Sequence, residues 1–319
     1  MKKTMAMLLA LLLVAVMLPV MAMAEGANVA KIGETEYPTL KEAFDAVQEG
    51  QIIEVMRDCS GNGIKVQSGK KFTVDFNNCT YNIDGETVGS TGTETNGFQL
   101  LKDSTITFKN GKLTSTKAKI LIQNYCNLTL ENMELDGSNL NRSNPNYTLS
   151  NNNGNVVIDG TKISAADGMV AFDVCRYADY VGPKVTVKGN SVINGKVEIS
   201  SSGAKEGARH ELVIENGTFN GQIVKVDESP NFSSSISGGT FKKGVDESYI
   251  VDGKKLDANG NVVPESITII VPSEGGSTTT TPSTDNTKNP STGANDFVGV
   301  AAALAVVSLL GAAVAVRKK

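Results

Sequence analysis

The residues best suited to chemistry lie close together between positions 167 and 180. The segment combines three acids, one arginine and two tyrosines: Asp167, Asp173, Arg176, Tyr177, Asp179 and Tyr180. Hydrolysis of a glycosidic bond generally requires two carboxylates that face each other across the sugar. A tyrosine offers a sugar or a protein a flat apolar ring with a hydroxyl. We interpret the segment as a candidate ligand-binding loop, in which an extended backbone would turn Asp167 and Asp173 to the same side.

The alternative interpretation of this segment is a solvent-exposed loop that binds no ligand. No other segment of the sequence has a stronger catalytic pattern. The one histidine, His210, follows a Gly/Ser-rich stretch at 200–207 and has no Ser or Cys motif beside it. We expect it at the surface. No Gly-rich phosphate loop occurs between a strand and a helix. The sequence therefore identifies no catalytic residue, metal site or cofactor, and it favours binding over catalysis.

Four cysteines are present, at positions 59, 79, 126 and 175. Their spacing contains no C-x-x-C pair of the kind that binds zinc. An exported chain permits disulfides, and a repeat of suitable length would stack Cys59 and Cys79 on adjacent turns. The alternative is a set of small buried apolar side chains.

Composition excludes some partners. The formal net charge is −4 and the chain lacks tryptophan. No basic run is present, which argues against nucleic acid and against anionic lipid as ligands.

The elements that must position these residues repeat along the chain. Six segments share an alternating strand, an Asn/Gly-rich corner and a second apolar residue: 106–113, 128–135, 156–163, 185–192, 212–219 and 235–241. Asn and Gly tolerate the left-handed backbone that a sharp corner needs. One such turn cannot bury its apolar side alone, so the turns must stack into a solenoid. The strands of a β-sandwich would also alternate apolar and polar residues, but a sandwich sequence would show more strands paired in hairpins. We predict an all-β protein with a right-handed parallel β-helix over residues 25–271.

The start of the β-helix should be covered by a helix. A capping-box pattern at 39–42 predicts a capping helix near 39–49, whose apolar face is formed by Leu40, Ala43, Phe44 and Val47. Gly50 then ends the helix before a strand at 52–56. At the other end, residues 256–262 predict a hairpin that turns at Asn259-Gly260, and 267–271 a last strand.

The ends of the chain carry targeting patterns. Residues 1–24 have a basic start, an apolar run and a small-residue exit, as in a secretory signal peptide. Residues 272–288 are rich in Ser, Thr, Pro and Gly, which predicts a disordered linker. The apolar stretch 297–316 is long enough to cross a bilayer as a helix in the precursor. The basic residues after it would stay in the cytoplasm.

The segment before that stretch resembles a known signal. Residues 289–293 read Asn289-Pro290-Ser291-Thr292-Gly293. The pentapeptide, the apolar stretch and the basic tail follow one another in a chain that also begins with a signal peptide. Together they resemble the Leu-Pro-x-Thr-Gly sorting signal of sortase-anchored surface proteins of Gram-positive bacteria, with asparagine in place of leucine. The resemblance implies cleavage after Thr292 and transfer of Thr292 to peptidoglycan. Sortase and peptidoglycan are then partners, and the protein would contact the membrane only through the precursor's helix.

A second resemblance concerns the central region. Residues 37–47, followed by the strand at 52–55, resemble the entry segment of pectate-lyase-like β-helix surface proteins, and 236–253 resemble their final turn. The resemblance implies the fold and an exterior location, and it transfers no catalytic residue. We therefore expect a wall-anchored adhesin that binds glycans or host proteins. The alternatives are a polysaccharide lyase or glycoside hydrolase and a passive structural wall protein.

Overall fold

A computed structural model describes residues 28–141 and 146–265. The predicted signal peptide at 1–24, the strand at 267–271, the linker at 272–288 and the sorting signal at 289–319 lie outside these residues. Within the described part of the chain, no helix has the length and apolar character needed to cross a bilayer.

Short strands dominate the described chain. In chain order they are β1 Ala30–Ile32, β2 Thr35–Tyr37, β3 Ile52–Val55, β4 Cys59–Gly61, β5 Ile64–Val66, β6 Lys71–Asp75, β7 Thr80–Ile83, β8 Val88–Ser90, β9 Thr93–Leu100, β10 Thr105–Ser115, β11 Ile120–Asn124, β12 Asn127–Gly137, β13 Tyr147–Asn151, β14 Gly154–Asp159, β15 Lys162–Ala165, β16 Val170–Tyr177, β17 Pro183–Lys188, β18 Val192–Asn194, β19 Lys196–Ser202, β20 His210–Ile214, β21 Thr218–Phe219, β22 Ile223–Lys225, β23 Phe232–Ile236, β24 Thr240–Phe241, β25 Lys254–Leu256 and β26 Val262–Pro264. One helix, α1 Leu40–Ala46, and one 3-10 turn, Glu247–Tyr249, accompany them.

The strands stack in parallel on three faces. The first face runs β3, β6, β10, β12, β14, β17, β20, β23. The second runs β4, β7, the C-terminal halves of β10 and β12, then β15, β18, β21, β24. The third runs β5, β9, β11, β13, β16, β19, β22. The result is a parallel β-solenoid of about seven turns. The predicted repeat is confirmed, because each predicted segment lies in one turn of the first and second faces.

The corner between these two faces explains the Asn/Gly consensus. Asn110, Asn132, Gly160 and Gly189 follow equivalent strand positions in four successive turns, and their φ angles lie between 51° and 63°. Only Gly and, less readily, Asn adopt this left-handed backbone at low cost. The corner lets alternate side chains of both faces point inward, so apolar residues of successive turns pack on one another. At the last turns Phe219 and Phe241 stack with their ring centroids 4.9 Å apart.

Each end of the solenoid is covered, the start by the predicted helix and the far end by the hairpin. At the start, the Thr39 hydroxyl accepts a hydrogen bond from the Glu42 N–H at 3.2 Å and caps α1. Phe44 packs edge-on against Phe72, with centroids 5.5 Å apart. The helix ends at Ala46 rather than near 49, because Val47 takes a non-helical ψ of 134° while its side chain stays buried.

The far end carries the predicted hairpin. Strands β25 and β26 pair antiparallel, and Gly260 at the turn has a φ of +79°. The hairpin docks on the last turn, where the Phe241 N–H donates to the Gly260 carbonyl at 2.7 Å.

Candidate functional site

The predicted segment at 167–180 is mostly strand. Residues Val170–Tyr177 form β16 on the third face, so the prediction of a loop is wrong for them. Ala171, Phe172 and Val174 belong to the hydrophobic core of the solenoid. Asp167 lies in the turn before β16 and Asp179 in the turn after it, and both are exposed. The expected shared side for Asp167 and Asp173 is also wrong. Asp167 faces a different groove, beside Asn194 and Lys196.

Asp173 points outward from the third face into a concave surface of about 380 Å³. We call this surface the third-face groove and define it by Tyr147, Ser150, Asp173, Tyr177, Glu198 and Asp227. Strands β13, β16 and β19 form its floor. Of the predicted candidates, only Asp173 and Tyr177 line it. Tyr147, Glu198 and Asp227 were not predicted.

The floor of the groove holds a buried acid. The side chain of Asp173 accepts a hydrogen bond from the Ser150 hydroxyl at 3.1 Å and another from the Asn151 N–H. Burial raises the pKa of Asp173 to about 8, and the nearby charge of Glu198 adds to the rise against these hydrogen bonds. Asp173 therefore carries a proton for most of the time at neutral pH.

Glu198 lies next to Asp173. The two residues are register partners on β16 and β19, and strands in a ladder lie about 4.8 Å apart. The Tyr147 hydroxyl donates to Oε1 of Glu198 at 3.1 Å, and the Lys196 ammonium is 3.6 Å from Oε2. Burial, with the charges of Glu198 and Asp173, raises the pKa of Tyr147, so its phenol remains a donor. The arrangement sets a protonated acid beside a second carboxyl group, as in acid–base sites.

Three tyrosines form a cluster beside the groove. The ring centroids of Tyr125 and Tyr180 are 5.0 Å apart, and those of Tyr177 and Tyr180 are 6.4 Å apart with nearly parallel planes. Tyr177 is 37% exposed and also lines the groove. Val226, another groove residue, is 49% exposed. An exposed aromatic ring next to polar groups is a surface that sugars and proteins both use.

The remaining predicted residues have structural roles. Arg176 is buried and donates from Nη1 to the Ala208 carbonyl at 3.0 Å. The expectation of a surface His210 is wrong, because it begins β20, is 1% exposed and bonds through Nδ1 to the Val174 carbonyl at 3.1 Å. Burial lowers the pKa of His210, which keeps the ring neutral. Neither side chain lines the third-face groove.

All four cysteines are free thiols in this structure. Cys59 is the register partner of Tyr81, two residues beyond Cys79, so the cysteines lie on successive turns but are not paired in register. Burial raises the pKa of Cys59 to about 11, which makes the thiol a poor nucleophile. The Cys59–Cys79 disulfide stays a prediction. Across 28–141 and 146–265, no group of three or more His, Cys, Asp or Glu is arranged to hold a metal ion.

Replacement of Asp173 by Asn should flatten the dependence of stability on pH. The pKa of Asp173 is about 8 in the folded protein, against a reference value of 3.8. The folded protein therefore keeps a proton that the unfolded chain releases. This contribution to stability is complete below the reference value and is lost as pH rises toward 8. Between those values the wild type should lose stability relative to Asp173→Asn by at most about 1.4 kcal/mol per pH unit.

Chemical unfolding at a series of pH values measures this difference. Glu131→Gln is the matched control, because Glu131 is an exposed acid on the first face. Parallel stability curves for the wild type and Asp173→Asn would show that Asp173 titrates as an ordinary surface acid.

Comparison with known proteins identifies no relative. No protein-family model, no curated protein and no solved structure matches the chain. Function must therefore be inferred from the geometry of the third-face groove and from the sequence patterns at the two ends.

Proposed function

We propose that the protein is a surface adhesin that binds a glycan through the third-face groove. The observation that supports this proposal most is the position of Tyr177, which joins the tyrosine cluster to a groove floor of hydrogen-bonding side chains. Sugar rings present apolar C–H faces and polar hydroxyl edges. The tyrosine rings suit the faces, and the side chains of Ser150, Asp173 and Glu198 suit the hydroxyls. A protein ligand is the other outcome of the same binding test.

We also propose that the protein is exported and attached to the cell wall. The order of signal peptide, linker, pentapeptide, apolar stretch and basic tail supports export followed by sortase attachment of Thr292 to the cell wall. The linker at 272–288 would then carry the solenoid outward through peptidoglycan. A wall-anchored solenoid places a groove along its side in contact with glycans of neighbouring cells or of a host.

The handedness and class of the solenoid are also part of the proposal. We assign the solenoid to the right-handed, pectate-lyase-like class. Parallel strands joined by a crossover connection are right-handed in about 98% of cases, and the resemblance at 37–47 and 236–253 points to the same class.

One observation favours a second function, polysaccharide cleavage. Asp173 and Glu198 are register partners, and a protonated acid beside a second carboxyl group is the combination that glycoside hydrolases use. Strand neighbours lie about 4.8 Å apart, which matches the close spacing of the two carboxyl groups in retaining enzymes. In that mechanism Asp173 would donate the proton to the leaving oxygen while Glu198 attacks the anomeric carbon. Water would then release the sugar from Glu198, with Asp173 as the base. Binding remains the first proposal, because Glu198 is already engaged by Tyr147 and Lys196.

Tyr177→Ala should weaken ligand binding by about tenfold or more, since truncation of an aromatic residue in a binding site typically removes at least about 1.4 kcal/mol. Tyr177→Phe should bind nearly as well as the wild type because it keeps the ring. Glycan and protein arrays identify the ligand, and titration calorimetry gives the affinities. Arrays without any ligand would support a passive wall protein. Equal affinity of Tyr177→Ala and wild type would place the site elsewhere.

If the groove cleaves glycans, the purified protein should release reducing or unsaturated sugar from a polysaccharide panel. Asp173→Asn and Glu198→Gln should each abolish that release, because each removes one of the two catalytic carboxyl groups. Glu131→Gln, on the first face, should retain it. Release that persists in both groove variants would exclude this pair as the catalytic groups.

Thr292→Ala should move the protein from the cell-wall fraction to the membrane or the medium, because the sorting pattern would lose the threonine side chain next to the bond that sortase cleaves. Ser291→Ala is the matched control, since that position is variable in the sorting pattern, and it should stay in the wall. Immunoblots of fractionated cells measure both. Wall attachment of Thr292→Ala at the wild-type level would refute the sorting assignment.

A further inference from the structure

A second concave surface lies beside the third-face groove, at the corner where the third face turns into the first face. It has a volume of about 350 Å³. We call it the corner groove and define it by Tyr125, Asn153, Asn155, Val181, Lys184 and Arg209. Its residues come from successive turns: Asn155 is the register partner of Lys184, and Lys184 is the partner of Glu211. The corner groove therefore crosses several turns along the solenoid axis.

The two grooves are neighbours along the backbone. Asn152 lines the third-face groove, and the next residue, Asn153, lines the corner groove. The side chain of Asn153 donates from Nδ2 to the Tyr125 carbonyl at 3.0 Å, which ties this corner to the preceding one. Strand β13 has already ended and β14 has not begun. The chain therefore passes from one groove to the other within a single residue, and no strand lies between them.

The tyrosine cluster connects the two grooves. Tyr125 lines the corner groove and Tyr177 lines the third-face groove. The centroids of these two rings are 6.2 Å apart, and the Tyr180 ring lies 5.0 Å from Tyr125 and 6.4 Å from Tyr177. The three rings therefore form a continuous aromatic surface between the grooves.

Exposed apolar side chains are concentrated at the same place. Five large apolar residues are exposed in the described chain, and three of them line the two grooves. They are Tyr177 and Val226 in the third-face groove and Val181, which is 77% exposed, in the corner groove. Apolar side chains that are exposed as a group mark an interaction site, whereas single exposed ones are ordinary. The two grooves are therefore parts of one candidate surface.

The corner groove also supplies groups that bond to sugar hydroxyls. Asn155 and Arg209 are exposed, and Lys184 forms an exposed ion pair with Glu211 at 3.0 Å. Amide, guanidinium, ammonium and carboxylate groups thus lie close to the side chain of Val181. Because a sugar hydroxyl both donates and accepts hydrogen bonds, a mixed set of this kind suits it, and the apolar side chain suits the face of the ring.

The combined surface is much longer than one sugar unit. Asp173 and Tyr177 lie four residues apart on β16, which corresponds to about 13 Å at the rise of a strand. The ladder from Asn155 through Lys184 to Glu211 adds two steps, or about 10 Å. A pyranose unit is about as long as one such step. A chain that follows both grooves therefore places several consecutive units in contact with the protein.

We infer that the two grooves together bind one extended glycan chain of several units rather than a single terminal sugar. This inference rests on the proposed glycan binding and names the ligand class of that site. Some units lie in the third-face groove against Tyr177, the chain passes over the tyrosine cluster, and the following units lie in the corner groove against Val181 and Arg209. Once the first part of a chain is bound, the second part binds intramolecularly, so affinity rises with chain length.

Chain length is the variable that tests this inference. The purified full-length protein is titrated by calorimetry with linear oligomers of glucose, xylose, mannose, galacturonic acid and N-acetylglucosamine, each as a monomer, a dimer and a hexamer. In the series that binds, the hexamer should bind at least about tenfold more tightly than the dimer, because only the hexamer reaches both grooves. Equal affinity of dimer and hexamer, or no binding of any hexamer, would overturn the inference.

Variants of the corner groove locate the additional affinity. Val181→Ser and Arg209→Ala should each weaken binding of the hexamer by about threefold or more, and the double variant should bind the hexamer no better than the dimer. Neither change should alter the affinity of the dimer. Lys117→Ala is the matched control for Arg209→Ala, since Lys117 is exposed at the corner between the second and third faces, and it should keep the full advantage of the hexamer.

The same variants separate this inference from the proposed function. Tyr177→Ala should weaken binding of dimer and hexamer together, because Tyr177 belongs to the third-face groove. If both corner variants bound the hexamer as the wild type does, the corner groove would not be part of the site. In that case, or if only a single or branched sugar bound, continued dependence on Tyr177 would leave the proposed adhesin function intact.

Discussion

The parallel register of the ladder is the constraint on which both the core and the groove depend. Strands of successive turns lie about 4.8 Å apart, so each side chain rests on the residue at the same position one turn away. On the third face this rule makes an inward row of apolar residues that includes Phe98, Ile122, Leu149, Phe172 and Val197. The neighbouring outward row is polar over five turns: Gln99, Gln123, Ser150, Asp173 and Glu198. One backbone geometry therefore builds a dry interior and a hydrogen-bonding exterior side by side.

The outward row explains the position of the groove. At the next turn after Glu198 the equivalent residue is Val224, so this outward row is acidic at two turns only. Burial of a carboxyl group costs free energy, whereas burial of an apolar residue does not. A site that keeps two buried carboxyl groups together therefore lowers the stability of the fold, as functional sites often do. Tyr147 reaches over the floor from the preceding turn and supplies a hydrogen bond that makes this arrangement tolerable.

The first two faces could be predicted from the sequence because their corner repeats a recognisable residue type. Asn110 and Asn132 align with Gly160 and Gly189, and the strands on both sides pair in regular register. The third face has no such marker. Its outward row changes from amide to hydroxyl to acid, and the register between β16 and β19 is irregular near Val170 and Phe172. Asp173 and Tyr177 were found through composition alone, whereas Glu198 and Tyr147 required the ladder. His210 and Arg176 were misplaced because local polarity does not reveal that a later turn covers them.

The position of the two covers has a mechanical consequence. Helix α1 closes the first turn and the β25–β26 hairpin closes the last, so a pull between residues 28 and 265 is directed along the solenoid axis. Hydrogen bonds between parallel strands of successive turns lie along that same axis, and each turn contacts only its neighbours. Tension is therefore met by one turn at a time, in a peeling rather than a shearing geometry. The solenoid would extend in small steps, beginning where the Phe241–Gly260 hydrogen bond holds the hairpin to the last turn.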